Sequence, residues 1–221
     1  NCMWLKGVVM KAHYNGLIPR NPFIQFHISP NVKEREYLTE DELKAVMTHE
    51  FADSKLAYIR DIFIFASFTA LSFVDIQELT NDNIVEVNGE KWILSKRHKT
   101  KVAFQVKLLD IPLQIVERYR PMQKDNRIFP DLNYWSICKP LKRMIRECGI
   151  TKSISFHCSR HGFATLALSK GMPIESVSRV LGHTNIVTTQ LYAKITTQKL
   201  DNDLTMFGDK LSKTFNGITM S

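Results

Sequence analysis

The chain has 221 residues, 44% of them hydrophobic, with 30 Lys and Arg against 22 Asp and Glu. That length suits one sizeable core, or a domain with part of another, and the formal net charge of +8 favours an anionic partner such as nucleic acid. Cys2, Cys138, Cys148 and Cys158 form no CxxC pair, which excludes a disulfide-dense scaffold and fits no zinc-ligand spacing, and the longest apolar run, Ile62 to Phe73, is too short and too broken by Ser67, Thr69 and Ser72 to span a bilayer.

The chain opens in a helical pattern, with Trp4, Leu5, Val8, Val9 and Ala12 on one side and Asn15-Gly16 as a left-handed stop. A connector with Pro19, Pro22 and Pro30 follows. Residues 1–30 are expected to be the tail of an upstream domain plus a linker, in a piece of a longer protein, and residues 31–221 the main domain. Thr39-Glu40-Asp41-Glu42 has the form of a capping box, with Leu43, Val46 and Met47 at helical spacing behind it. Lys55 to Leu71 is apolar nearly all round, as expected of a central helix. Ile84–Val87 and Trp92–Leu94 flank Asn88-Gly89, a strong hairpin signal, and Val102–Leu109 reads as a third strand. The loop before that third strand carries Lys96, Arg97, His98, Lys99 and Lys101.

From Pro112 onward the pattern is helical: Pro112–Tyr119, Tyr134–Cys148, His157–Ser169, Pro173–Leu181, Ile186–Lys194 and an amphipathic segment near Thr197–Phe207. Gly149, Gly171 and Gly182 stand where helices should stop. The predicted class is α+β: a mostly helical domain with one small three-stranded antiparallel sheet.

The chemistry concentrates in the last quarter. His157 and Arg160 lie three residues apart, on one face of a predicted helix. A guanidinium grips two phosphate oxygens at once and an imidazole adds a donor. His183 follows Leu181-Gly182, and Tyr192 comes nine residues later. Taken singly, each has an ordinary explanation: a helix start with a surface Arg, a capping His, a half-buried aromatic. Together, HxxR, LGH and the following Tyr resemble the catalytic end of the tyrosine recombinase (phage integrase) family, in the manner of the integrases of mobile elements and conjugative transposons. The resemblance extends upstream. Residues Thr69 to Leu79 look like the family's "TGLR..DI..L" segment, His98-Lys99-Thr100-Lys101 like its hairpin lysine, and Ile128-Phe129-Pro130 like a further landmark.

The resemblance implies a catalytic domain with a C-terminal docking helix, preceded by the end of a core-binding domain. It implies cleavage and rejoining of double-stranded DNA without cofactor or metal, in a homo-tetramer on paired sites, in the bacterial cytoplasm and away from membranes. Tyr192 would attack the scissile phosphate and form a 3′-phosphotyrosyl link. Arg160 and His183 would hold the phosphate oxygens, His157 would assist proton transfer or orient the phosphate, and Lys99 would protonate the leaving oxygen, with Lys101 as its substitute. Asp75 matches the acidic residue that supports the site. Leu200, Leu204 and Phe207 would form the anchoring stripe of the docking helix.

One position departs from the pattern: Ser72 stands where the family carries the first of two phosphate-clamping arginines. Removing a charged donor from a developing oxyanion costs about 3 kcal/mol, around a hundredfold in rate. Arg97 is the first candidate to fill the place and Lys96 the second. The alternatives are a DNA-binding member of the family with impaired catalysis, a topoisomerase-like relaxing enzyme, whose motif spacing differs, and a serine hydrolase, for which Ser72 lacks the Gly-x-Ser-x-Gly elbow.

Overall fold

The computed structural model describes residues 2–25, 36–98, 102–123, 125–192 and 197–214. The chain divides into two compact units, Asn1–Glu34 and Arg35–Ser221. In the first, helix α1 (Cys2–Tyr14) ends as its sequence requires: Gly16 turns left-handed at φ +69°, and the Leu17 N–H reaches back to the Ala12 carbonyl at 2.9 Å.

The second unit is built on one long buried helix. α2 (Glu40–Thr48) starts with the expected reciprocal box: the Glu42 N–H donates to Thr39 Oγ1 and the Thr39 N–H to Glu42 Oε2 at 2.7 Å. α3 (Ser54–Thr69) carries Leu56, Ile59, Ile62, Phe63, Phe65 and Ala66, all buried, and packs against α2, α5 (Asp110–Tyr119), α6 (Tyr134–Glu147) and α7 (His157–Ser169). Burying each large side chain of that helix contributes about 1.5–3 kcal/mol, which explains why it is apolar nearly all round. Its aromatics meet edge to face, Phe65 with Phe129 at 4.9 Å between ring centres and Phe63 with Phe156 at 6.1 Å.

After α3 the chain turns at Ala70 into the short α4 (Phe73–Gln77) and then a three-stranded antiparallel sheet in the order β1 (Ile84–Val87), β2 (Glu90–Lys96), β3 (Ala103–Lys107). The β1–β2 turn is Asn88-Gly89 with both φ angles positive, +53° and +77°, the geometry that follows the natural twist of a hairpin. Beyond Lys96↔Ala103, the Arg97 N–H bonds the Val102 carbonyl at 2.8 Å. A second, smaller apolar cluster joins Ala164 and Leu168 of α7 to Val177 and Leu181 of α8 (Ile174–Leu181), and α8 also packs on β3.

Two expected boundaries move. The predicted helix Ile186–Lys194 contracts to α9 (Val187–Gln190), leaving Tyr192 in the turn that follows. The last helix is longer than expected: α10 runs Thr197–Thr214, with Leu200, Leu204, Met206, Phe207 and Leu211 all exposed.

Candidate active site

Ser72 does not point outward as a spare donor; it is consumed in starting α4. The Asp75 N–H donates to Ser72 Oγ at 3.3 Å, while Asp75 Oδ2 accepts from the Ser72 hydroxyl at 2.7 Å and from its N–H at 3.2 Å. This second capping box leaves Asp75 nearly buried and still able to accept more.

The further donors come from the end of β2. Arg97 is only 6% exposed. Its Nη1 donates to Asp75 Oδ2 at 2.7 Å, its Nη2 donates to the Val180 carbonyl at 2.5 Å, and its guanidinium carbon lies 4.1 Å from the centre of the Phe104 ring. The His98 N–H completes the set on Asp75 Oδ1 at 3.1 Å. Burial works to raise the Asp75 carboxyl, but the hydrogen bonds from Arg97, His98 and Ser72 outweigh it and hold it below the usual carboxylate range. Burial pushes Arg97 down more than Asp75 lifts it, and its Nε is buried with no hydrogen-bond partner among the described residues. Lys96, the other candidate for the place of the missing arginine, lies exposed at the end of β2.

Arg160 reaches the same region from α7. Its Nη1 donates to the Ala70 carbonyl at 2.7 Å and its Nη2 donates to the Leu181 carbonyl. Ala70 presents that carbonyl from a left-handed conformation, φ +56°, which costs a residue with a Cβ about 1–2 kcal/mol. The two arginines therefore hang on successive carbonyls, Val180 and Leu181, at the C-terminal end of α8. Those are groups that the helix leaves unpaired, at the end that favours positive charge. Gly182 ends α8 at φ +62°, and a Cβ there would lie 3.0 Å from Arg97 Nε and 3.1 Å from its Cγ. The glycine of the Leu181-Gly182-His183 motif thus has two reasons: the left-handed turn and the space that Arg97 occupies.

His183, next in the chain, bonds through Nδ1 to Thr189 Oγ1 at 2.9 Å. Burial first, then the charges of Arg160 and Arg97 and the neighbouring His157, push its imidazole down to about 4. At neutral pH it is uncharged, and when the Thr189 hydroxyl donates to Nδ1 the ring carries its hydrogen on Nε2, a neutral donor. Burial, then the Arg97 charge, pushes Arg160 down to about 10, still protonated at neutral pH; Asp75 and Tyr192 act in the opposite sense on it. These mutual fields place Arg97, Arg160, His183 and Tyr192 in one electrostatic neighbourhood.

Tyr192 packs on the smaller apolar cluster, and its hydroxyl oxygen lies 2.5 Å from Nδ1 of His161. His161 is buried, and the His157 ring stands edge-on to it at 4.4 Å between centres. Sequence reasoning passed over His161. The available signal was its spacing of four from His157, which puts both imidazoles on one face of α7. Lys99 and Lys101 lie outside the described residues. Among the described residues, no group of three or more His, Cys, Asp or Glu is placed to hold a metal ion, and no helix is long and apolar enough to cross a membrane.

A helical domain with a small antiparallel sheet, two arginines on one helix end and a tyrosine beside them defines a class, and the comparisons agree on it: residues 36–199 match the phage integrase family, and the chain belongs to that family. The tyrosine recombinase XerA of Pyrococcus horikoshii is 32% identical over 177 residues, 74% of this chain and 58% of that protein. XerC of Lactobacillus leichmannii is 26% identical over 200 residues, 84% of this chain and 67% of that protein. The Tn1549 transposon integrase, solved with a circular intermediate DNA, shares the fold with a TM-score of 0.75 at 17% identity, over 91% of this chain and 76% of that one. The XerH recombinase, solved on its difH substrate after cleavage, gives 0.63 at 21% identity, over 78% and 53%.

Proposed function

We propose that this chain is the catalytic portion of a site-specific DNA recombinase that cuts and rejoins double-stranded DNA through a 3′-phosphotyrosyl intermediate on Tyr192, in the integration and excision of a mobile element. The observation that carries the reading is the pair of guanidiniums on the Val180 and Leu181 carbonyls, Arg97 buried and Arg160 half-buried, with neutral His183 and Tyr192 beside them. Two guanidiniums in each other's field oppose one another, and a phosphate bearing negative charge offsets that opposition.

In this reading Arg160, Arg97 and His183 stabilise the charge that builds on the phosphate oxygens as the Tyr192 oxygen bonds to phosphorus. Arg97 does the work of the arginine absent at Ser72, and Asp75 fixes its orientation. His157 lies on the same side as the tyrosine and assists the proton transfer or orients the phosphate. Lys99, or Lys101 in its place, protonates the departing 5′-oxygen. The covalent link conserves the phosphodiester energy, so rejoining needs no nucleotide cofactor. The exposed Leu200, Leu204 and Phe207 on α10 suit docking on a neighbouring copy, and four copies on paired sites complete the assembly. The net charge of +8 makes DNA affinity salt-dependent.

The test uses nicked duplexes tiled across the DNA flanking the coding sequence, so that the short released strand diffuses away after cleavage. A covalent protein–DNA adduct that Tyr192→Phe abolishes supports the reading. DNA binding without any adduct supports a family member that binds and does not cut.

A further inference from the structure

We infer that His161 is the positioning residue of the nucleophile: it holds the Tyr192 hydroxyl through Nδ1 and fixes where the phenolic oxygen stands before attack. The inference rests on Tyr192 being the nucleophile, and it adds a residue outside the phosphate-holding set.

Three observations carry it. The Tyr192 oxygen lies 2.5 Å from His161 Nδ1, a short contact between the turn after α9 and helix α7. His161 is 3% exposed on α7, the helix that also carries Arg160, so the phosphate clamp and the anchor of the nucleophile share one helix. Tyr192 follows the four-residue α9, where its ring packs on the smaller apolar cluster and is half-buried. Packing sets where the ring lies, and the hydrogen bond to His161 adds a directional restraint on the phenolic oxygen. The His157 ring, edge-on to His161 at 4.4 Å, limits rotation of the imidazole in turn. Misplacing a nucleophile by about 1 Å lowers a rate by about a hundredfold.

The bond acts only through the tyrosine, which gives a clean test in the full-length protein. The probe is a nicked duplex on which the wild type forms an adduct. His161→Phe is expected to slow adduct formation at least tenfold, and His161→Asn, whose amide puts a polar atom near the Nδ1 position, to recover much of that loss. The rejoining half-reaction is then measured in a Tyr192→Phe background, with a duplex whose 3′ end carries a p-nitrophenyl phosphate and whose 5′-hydroxyl attacks it, expelling p-nitrophenolate. Adding His161→Phe there should leave the rejoining rate unchanged, since the phosphate clamp is intact and no tyrosine hydroxyl remains to be held. Cleavage unaffected by His161→Phe overturns the assignment, as does an Asn variant no better than Phe. An equal loss in both half-reactions also overturns it, because His161 would then serve the fold or the phosphate site. Failure of the wild type to form any adduct is a different result: it removes the recombinase reading itself.

Discussion

Among the described residues two carboxylates are buried, Asp61 on α3 and Asp75 on α4, and the cations that meet them differ in kind. Asp61 accepts from Arg60 Nε at 2.9 Å, Arg118 Nη1 at 2.7 Å and the Tyr119 hydroxyl at 2.8 Å. The Arg118 side chain is 55% exposed, so its charge is largely solvated, while Arg60, 16% exposed, also donates to the His49 carbonyl. Asp75 is met by Arg97, whose side chain is 7% exposed and which lies in the field of a second, half-buried arginine, Arg160. An acid neutralised from the surface fastens helices together. An acid that holds a buried arginine near another arginine keeps a cation where the fold alone would not put one. The first arrangement leaves one of its charges in water; the second, on the proposed reading, keeps positive charge ready for the phosphate.

Four experiments break or sharpen this contrast. The largest effect is expected from Asp75→Asn, which strands the Arg97 charge. It should lower stability by about 3–5 kcal/mol, whereas Asp61→Asn, which releases Arg118 to water, should lower it by about 1–2 kcal/mol; urea unfolding midpoints compare the two. Equal losses would erase the distinction.

Next, Arg97→Ala should slow adduct formation by roughly a hundredfold in protein that still binds DNA. Ser72→Arg should restore much of that rate in the Arg97→Ala background and give no acceleration by itself. An acceleration by Ser72→Arg alone would show that the place is still vacant.

Gly182→Ala should cost about 1–2 kcal/mol of stability, from the left-handed backbone and the contact with Arg97. Combined with Arg97→Ala the losses should be less than additive, because the steric part disappears with the side chain.

The smallest effect concerns pH. The folded-state value of His183, about 4, lies below the ordinary imidazole value of 6.5. The unfolded chain therefore binds more protons between those values, and the group destabilises the fold progressively as pH falls from 6.5 towards 4, with no effect above. His183→Gln should flatten the acid limb of a stability-against-pH curve in that window. Ring-proton shifts of His183 that titrate near 6.5 would contradict its placement beside two guanidiniums.

Much of this site could be read in the chain because its parts are local. The Thr39–Glu42 box, the Asn88-Gly89 hairpin and the Gly182 stop are each fixed by a few neighbouring residues. Ser72 is legible in the same way: Ser72-x-x-Asp75 has the spacing of Thr39-x-x-Glu42, although the family pattern marks Ser72 only as the place of an arginine. What pattern alone did not yield is packing. Arg97 was a candidate only for its nearness to Lys99, and nothing in one dimension shows that Gly182 is kept small for it. His161 was overlooked because its partner lies 31 residues away, in a turn that periodicity read as helix.

The position of Arg97 at the end of a strand has a consequence of parity. Side chains along β2 alternate between faces, so a single inserted or deleted residue between Glu90 and Arg97 would turn the guanidinium away from Asp75 while leaving the helices untouched. A two-residue change would instead keep the facing and shift the reach by nearly 7 Å.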